Sequence, residues 1–340
     1  MTRQSLFPHS LSFWRNKRLW TSCRLGPDQL QAKLEAGLLV VRVKDTTLTV
    51  EAVCHSAADL QVLREVAGFC VECQLNGGPL KWLNLSNELI GNLPPNGRLV
   101  TVIDAARINS QFARLVVRGD NLEAFASKGL HFRLGIPPRR QPPVWPYISN
   151  AGRTVWPDGE DKLHTPAYTT VDMDSDEGWL AFDIYLHGNG TTCDWAEGLL
   201  RGTETRRTVY LSGPGGGWFP VADKIILAGD ETALPAIGRI LENRQSYAQT
   251  RTYIELRNAD VIAELKPTLP QDVELLDRSK GEAAASIFQS LKPEDIEGTF
   301  LWFGGEKSEA TRLRSLVRNV WDLPKKQHYI GAYWTNTAMG

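Results

Sequence analysis

Two short stretches of the chain carry the residue types that hold an anion on a strand–turn–helix unit. In LAGDETALPAI (227–237), strand-like residues from Lys224 to Ala228 arrive at Gly229, pass the acidic pair Asp230 and Glu231, and enter a helix at Thr232. Free N–H groups and the helix dipole at such a turn favour a phosphate. The G-x-G-x-x-G spacing of a dinucleotide fingerprint is absent, so the turn needs another explanation. In LHGNGTTCDWAEGLL (186–200), a strand ends at His187, two glycines supply a tight turn, and Thr191 or Thr192 caps a helix beginning near Cys193. Asp194 repels a phosphate placed too close, which leaves backbone N–H groups and the threonine hydroxyls to meet it. The plain alternative is an ordinary capped helix with Trp195 and Leu199 packed inward. A third stretch, PAYTT (166–170), sets an aromatic ring ahead of two hydroxyls, a pattern also common in strands without chemistry. Taken together, the two turns and the Tyr168 strand suggest two nucleotides meeting at an interdomain cleft.

The scaffold for these residues follows from composition and periodicity. A chain of 340 residues is long enough for two or three domains with their own cores. Its 38 Lys and Arg against 39 Asp and Glu give a net charge of -1, which supplies no reason to expect nucleic acid as a partner. Basic Arg15, Lys17 and Arg18 have no apolar run behind them, so neither a signal peptide nor a membrane span is expected, and the default compartment is the cytoplasm. Five cysteines fit reduced thiols. Cys70 and Cys73 form a C-x-x-C, yet Leu60, Leu63, Ala67 and Cys70 recur at helical spacing, which favours buried thiols over a metal or redox site.

Residues 1–92 read as a small α+β unit, with strands at Leu38–Val43 and Thr47–Val53 joined across Lys44, Asp45 and Thr46, and a helix from Ala57. The run GNLPPNG (91–97) marks a boundary. From 98 to 217 short strands follow one another, near 99–103, 112–117, 131–134, 168–172 and 180–186, the pattern of a β-barrel or sandwich. A proline-rich stretch from Pro137 to Pro143, running on to Trp156 and Pro157, reads as an inserted loop. From 222 to 340 strands at 224–228, 252–256, 273–276 and 299–303 alternate with helices at 232–243 and 308–320, which implies a parallel sheet. The expected fold is therefore multidomain: an N-terminal α+β unit, an antiparallel β-barrel and a C-terminal α/β domain.

From about residue 98 to its end the chain resembles the siderophore-interacting protein family, flavin-dependent ferric-siderophore reductases related to the ferredoxin-NADP reductase superfamily. The resemblance is carried, in order, by HFRLGIP (131–137), WPDGEDKLHTPAYT (156–169), FDIYLHG (182–188), GPGGG (213–217), LAGDETALPAI, WFGGE (302–306) and GAYW (331–334). Residues 1–92 resemble a small domain sometimes fused to such reductases. The resemblance implies FAD on the barrel domain (98–217) and NADPH or NADH on the α/β domain (222–340). Tyr168 would pack on the isoalloxazine and Thr169 sit near N5; His187, Gly188, Thr191 and Thr192 would line the flavin diphosphate. Gly229, Asp230, Glu231, Thr232 and Ala233 would face the nicotinamide nucleotide, with Asp230 and Glu231 orienting ribose hydroxyls or the nicotinamide. Glu306 and Trp334, from WFGGE and GAYW, join the cofactor-binding set.

The same resemblance implies electron flow from NAD(P)H, or from ferredoxin, through the flavin to Fe(III) of an anionic ferric-siderophore, releasing iron in the cytoplasm without a metal site on the protein. Arg133, and behind it Lys325 or Lys326, would hold the chelate; Arg139 and Arg140 would form a lid or nothing. Arg257 favours NADPH. Two departures stand out: Pro166 replaces the arginine of the family's R-x-Y-T motif, and Val171 replaces a second arginine. His164, Arg153 or Lys162 would compensate, or the flavin would be FMN. The rival expectation is a siderophore-binding protein of this fold without redox activity.

Overall fold

The computed structural model describes residues 22–25, 29–44, 47–74, 80–127, 129–139, 142–216, 219–270 and 272–336. The chain divides into two compact units, residues 1–98 with 137–163, and residues 99–136 with 164–340.

The first unit is built on an antiparallel meander of β1 (Ser22–Leu25), β2 (Gln29–Leu34), β3 (Gly37–Lys44) and β4 (Thr47–Val53). Leu30, Ala32 and Leu34 alternate inward on β2, as a sheet with one dry face requires, and meet Leu63, Ala67 and Cys70 from and beyond helix α1 (Ala57–Gly68). Ser56 caps α1, its Oγ accepting from the Asp59 N–H at 3.0 Å. Cys70 is fully buried in this cluster; the Asp45–Thr46 turn and the side chain of Cys73 lie outside the described residues.

The proline-rich stretch does not behave as an insertion of the strand-rich domain. It continues into the short hairpin β8 (Tyr147–Ile148) and β9 (Thr154–Val155), which belongs with the first unit. Polar side chains of α1 hold it there: Glu65 accepts from the Thr154 N–H at 2.6 Å and pairs with Arg153 at 2.9 Å, and Gln61 donates to the Gly152 carbonyl at 3.2 Å. Residues 1–92 are therefore only part of a discontinuous unit. The physical reason is long-range: the prolines keep this stretch out of the neighbouring sheet, and α1 supplies the partners its backbone needs.

The second unit begins with six strands, β5 (Gly97–Arg107), β6 (Phe112–Arg118), β7 (His131–Gly135), β10 (Ala167–Asp174), β11 (Trp179–Tyr185) and β12 (Thr208–Gly215). They pair in the order β10-β11-β6-β5-β12-β7, and β7 pairs back onto β10. Phe132, Phe182, Leu115, Leu134 and Leu211 fill the interior. A helical turn α2 (Ala124–Ser127) and helix α3 (Thr191–Leu200) flank the strands, and α3 buries Trp195, whose Nε1 donates to the Arg206 carbonyl at 3.0 Å.

A parallel sheet follows, in the order β15-β14-β13-β16-β17, from β13 (Lys224–Gly229), β14 (Gln249–Leu256), β15 (Val273–Asp277), β16 (Thr299–Glu306) and β17 (His328–Trp334). Helices α4 (Leu234–Asn243), α5 (Ala259–Leu265), α6 (Ala284–Ser290), α7 (Pro293–Ile296) and α8 (Lys307–Ser315) connect the strands. Buried Ile225, Leu227, Phe300 and Trp302 pack into one core and Ile226, Ala228, Leu301 and Phe303 into another, which together make the nearly continuous apolar run of central parallel strands. The order reverses between β13 and β16, which places a switch point where Gly229 pairs with Gly304. No helix among the described residues is long and apolar enough to cross a membrane.

Candidate functional site

Strand β10 presents Tyr168 and Thr169 to opposite faces, as consecutive residues on a strand must be. Tyr168 turns toward α3. Its ring lies tilted against Phe182 with centroids 5.4 Å apart, and its phenol is hydrogen-bonded to the Thr192 hydroxyl. Burial raises the phenol's pKa, so it stays protonated. The Thr192 hydroxyl in turn lies 2.9 Å from Nε2 of His164, a ring whose pKa partial burial lowers. Of the three residues expected to compensate for Pro166, His164 joins this cluster. Arg153 is paired with Glu65 in the first unit, and Lys162 is an exposed residue of that same unit.

Thr169, only 6% exposed, turns the other way, toward β7 and β17. Its Oγ1 lies 3.0 Å from His131 Nδ1, and His131 Nε2 lies 2.9 Å from the Tyr333 phenol. Tyr333 is hydrogen-bonded onward to Tyr329. Desolvation, assisted by the charge of Arg239, pushes the His131 pKa down to about 4, so this ring is neutral at ordinary pH. Arg133 lies two residues along β7, exposed, donating from Nη1 to the Thr165 carbonyl at 3.1 Å.

The turn before α3 is open. Gly188 (φ +89°) and Gly190 (φ +95°) bring the chain from β11 to the helix in backbone conformations that side chains disfavour. Gly190 stands at the N-cap and no side chain caps the helix, so the expected threonine cap is not formed: Thr191 and Thr192 are already helical, and Thr192 faces Tyr168. A Cβ at Gly188 would meet nothing within 4 Å. First-turn N–H groups with clear space before them are what a diphosphate requires. The residues present thus fit the phosphate portion of a dinucleotide through backbone donors, with exposed Asp194 limiting how closely it approaches.

The turn after β13 is closed. Asp230, 3% exposed, accepts the Thr232 N–H at 2.9 Å and the Thr232 hydroxyl at 2.5 Å on one oxygen, and Trp334 Nε1 at 2.6 Å on the other. Burial raises its pKa to about 6 despite these bonds. Glu231, 2% exposed, pairs with Arg278 at 2.7 Å, and Arg278 also pairs with Glu255. The carboxylates expected to orient ribose or nicotinamide are therefore engaged within the protein, because an uncompensated carboxylate at this depth is too costly. Gly229 and Ala233 serve packing: a Cβ at Gly229 would stand 2.5 Å from both the Ala233 Cβ and the Gly304 carbonyl. Glu306 caps α8 by accepting from Ser308, and accepts from the Asn336 N–H at 3.2 Å. Thr232 is half-buried and Trp334 is 40% exposed, so these side chains reach the crevice surface.

Other expected residues scatter. Exposed Arg257 follows the carboxyl end of β14, on the edge that carries Gly229. Lys325 and Lys326 precede β17, which puts them at the opposite, amino edge of the parallel sheet. His187 is exposed beside Tyr185, ring centroids 6.2 Å apart. Arg139 is an exposed residue of the first unit and Arg140 lies outside the described residues. Sequence reasoning gave no role to His131, Tyr333 or Arg278, although the first two lie inside the motifs HFRLGIP and GAYW and the third directly follows a parallel strand.

A six-stranded antiparallel domain with an open anion turn, followed by a parallel sheet with a switch-point crevice, defines a two-domain flavin-type oxidoreductase. The chain belongs to the siderophore-interacting protein family: the model for the siderophore-interacting FAD-binding domain matches residues 101–218 and that for siderophore-interacting protein matches residues 222–337. It is similar to the ferric vibriobactin reductase ViuB of Vibrio cholerae, 26% identical over 258 residues that cover 74% of this chain and 92% of that protein. It is also similar to the NADPH-dependent ferric-chelate reductase of Escherichia coli, 28% identical over 251 residues covering 70% and 92%. The crystal structure of the siderophore-interacting protein SipS from Aeromonas hydrophila shares its fold, with a TM-score of 0.54 at 22% identity over 71% of this chain and 92% of that one. Residues 1–100 lie outside both matched ranges.

Proposed function

We propose that this protein reduces ferric-siderophore complexes in the cytoplasm, with FAD as its resident cofactor and NAD(P)H as electron donor. The observation that carries this reading is the open Gly188–Thr192 turn beside the Tyr168–Thr192–His164 cluster, which offers a diphosphate and an aromatic ring adjoining places. FAD, when bound, supplies the conversion of a two-electron donor into single-electron steps, chemistry that no side chain performs. The first-turn N–H groups of α3 bind its diphosphate, with Thr191, Gly188 and His187 around it. Tyr168 supports the ring system, and Thr169 directs a hydroxyl at it from the other side of β10.

The crevice between β13 and β16 takes the pyridine nucleotide, following the general preference for ligands at the carboxyl ends of a parallel sheet. Thr232 and Trp334 line it, with Gly229 and Ala233 permitting close packing of the turn. Arg257 meets a 2′-phosphate and favours NADPH. Arg133 attracts the anionic ferric chelate by charge-assisted hydrogen bonds. Iron leaves after reduction because hard oxygen donors hold Fe(II) less tightly than Fe(III).

The test is NADPH oxidation with and without a ferric catecholate or ferric citrate. Strong stimulation by the ferric chelate is expected; oxidation indifferent to the chelate would instead indicate a general flavin reductase. Pro166, standing where the family's motif has arginine, favours a second reading, a siderophore-binding protein without redox activity. That protein would bind the ferric chelate and leave NADPH untouched.

A further inference from the structure

Four side chains from three strands of the second unit form an unbroken hydrogen-bonded line: Thr169 on β10, His131 on β7, and Tyr333 and Tyr329 on β17. The line runs from the flavin domain into the nucleotide domain. Thr169 is buried, while His131, Tyr333 and Tyr329 are each partly buried; Tyr333 lies edge-on to both His131 and Trp302, and Tyr329, which stacks on Trp302, is the far end of the line. A histidine held between two hydroxyls has a property that a histidine beside a carboxylate or carbonyl lacks. Each hydroxyl can donate or accept, so both neutral tautomers are satisfied and the chain has two equivalent senses. In one, Tyr333 donates to Nε2, Nδ1–H donates to Thr169, and the threonine hydroxyl points its proton outward. In the other every bond is reversed: the Thr169 hydroxyl donates to Nδ1, Nε2–H donates to Tyr333, and the threonine oxygen is left to accept from the flavin side.

We propose that His131 is a positioning residue which sets the Thr169 hydroxyl as donor or acceptor, and that Thr169, His131, Tyr333 and Tyr329 together conduct a proton between the buried flavin edge and the protein exterior. The proposal rests on the reading that Thr169 stands beside the flavin. The stoichiometry of that reading calls for such a path. Hydride transfer carries hydrogen together with its electron pair, whereas the electrons then leave singly, so NAD(P)H + 2 Fe(III) gives NAD(P)+ + 2 Fe(II) + H+. One proton per turnover must leave a site where Thr169 is almost wholly enclosed. A proton accepted at Thr169 shifts each bond of the line by one place and releases a proton at Tyr329; no electron moves along the line, and its charge is the same before and after. Neutrality of the ring suits this role, since an imidazolium would donate at both ends and block reversal. The groups facing it are the Thr169 hydroxyl, the two phenols and the charge of Arg239, and together with burial that charge disfavours the imidazolium.

The first test uses full-length protein labelled with 15N-histidine and no added cofactor. Both His131 ring nitrogens should show shifts averaged between protonated and unprotonated values from pH 8 down to pH 5.5. Tyr333→Phe should collapse the average to the Nδ1–H form and Thr169→Val to the Nε2–H form, while Thr169→Ser keeps the average. A single tautomer in the native protein, untouched by Tyr333→Phe, overturns the proposal.

The second test uses protein loaded with FAD and reduced with NADPH, then mixed with ferric citrate. Tyr333→Phe should slow the oxidation step by roughly a hundredfold, the lower end of what a positioned proton relay contributes, and slow the preceding hydride step far less. Equal slowing of both steps marks a structural role and also overturns the proposal. Failure to take up FAD ends the flavin reading, and the tautomer measurement then decides the chain by itself.

Discussion

The turns at Gly188–Thr192 and Gly229–Ala233 share one local grammar, a strand that passes through glycine and enters a helix past a threonine, yet the structure finishes them in opposite ways. The first leaves its helix N-terminus without a side-chain cap and Gly188 facing clear space. The second supplies its own anion, Asp230, which takes the Thr232 N–H and hydroxyl and is sealed by Trp334, while Glu231 is held by Arg278. A turn that carries its own carboxylate satisfies the N–H groups that a phosphate would otherwise claim. The acidic pair of the second turn is engaged by groups of the protein itself, whereas the first turn keeps an uncapped helix N-terminus, which supports the proposal that the first holds the phosphate.

Four substitutions or conditions sharpen the contrast. Gly229→Val is expected to do most damage, about 3 kcal/mol or more, because its side chain would be driven into the Ala233 Cβ and the Gly304 backbone; a large fall in Tm checks this, and a fall of a few degrees would mean the turn can yield. Arg278→Ala strands buried Glu231 and Glu255, and because the arginine is itself 38% exposed the expected cost is about 2–3 kcal/mol, at the lower end for a broken buried pair. Denaturant unfolding measures it, and Arg278→Lys should recover part of the loss.

Gly188→Ala should cost the fold only about 1–2 kcal/mol through its left-handed conformation, yet weaken FAD binding by about tenfold, the equivalent of 1.4 kcal/mol; isothermal titration separates the two effects. The smallest effect is a pH dependence. Asp230 has its folded pKa raised from 3.8 to about 6, so between those values the folded state binds more protons than the unfolded one. Stability from this residue is therefore greatest below about pH 4 and declines as pH rises to about 6, against the usual direction for a carboxylate. Asp230→Asn should remove that component from the stability-versus-pH curve.

Much of the scaffold was legible in the sequence. The central strands β13 and β16 announced themselves by apolar runs, and α4 by its proline and its apolar face. What stayed hidden depends on contacts between distant segments. Strand β17 was read only as the motif GAYW, because alternating aromatic and small residues carry little signal without the neighbouring β16. The β8–β9 hairpin was taken for loop, since nothing in its prolines reveals that Glu65 and Gln61, far earlier in the chain, will hold it. Within the site, Tyr168, Thr169 and Thr192 were identifiable as hydroxyls on the right elements, and the structure assembles Tyr168 with Thr192. Their partners His131 and Tyr333 were not, because a histidine on a strand and a tyrosine near the end of a chain acquire meaning only when β7 and β17 meet. Asp230 and Glu231 were legible only as two acids on a turn, because their partners Trp334 and Arg278 lie far along the chain.

Titration of cofactor-free protein with FAD, followed by the visible absorbance of the flavin and by quenching of its fluorescence, tests the central claim most directly. The account predicts saturable uptake of one FAD with a perturbed flavin spectrum, unaffected by changes at Asp230 and weakened by Gly188→Ala. Uptake of neither FAD nor FMN, or uptake that Gly188→Ala leaves intact while Asp230→Asn abolishes it, would contradict the assignment of the open turn as the flavin site.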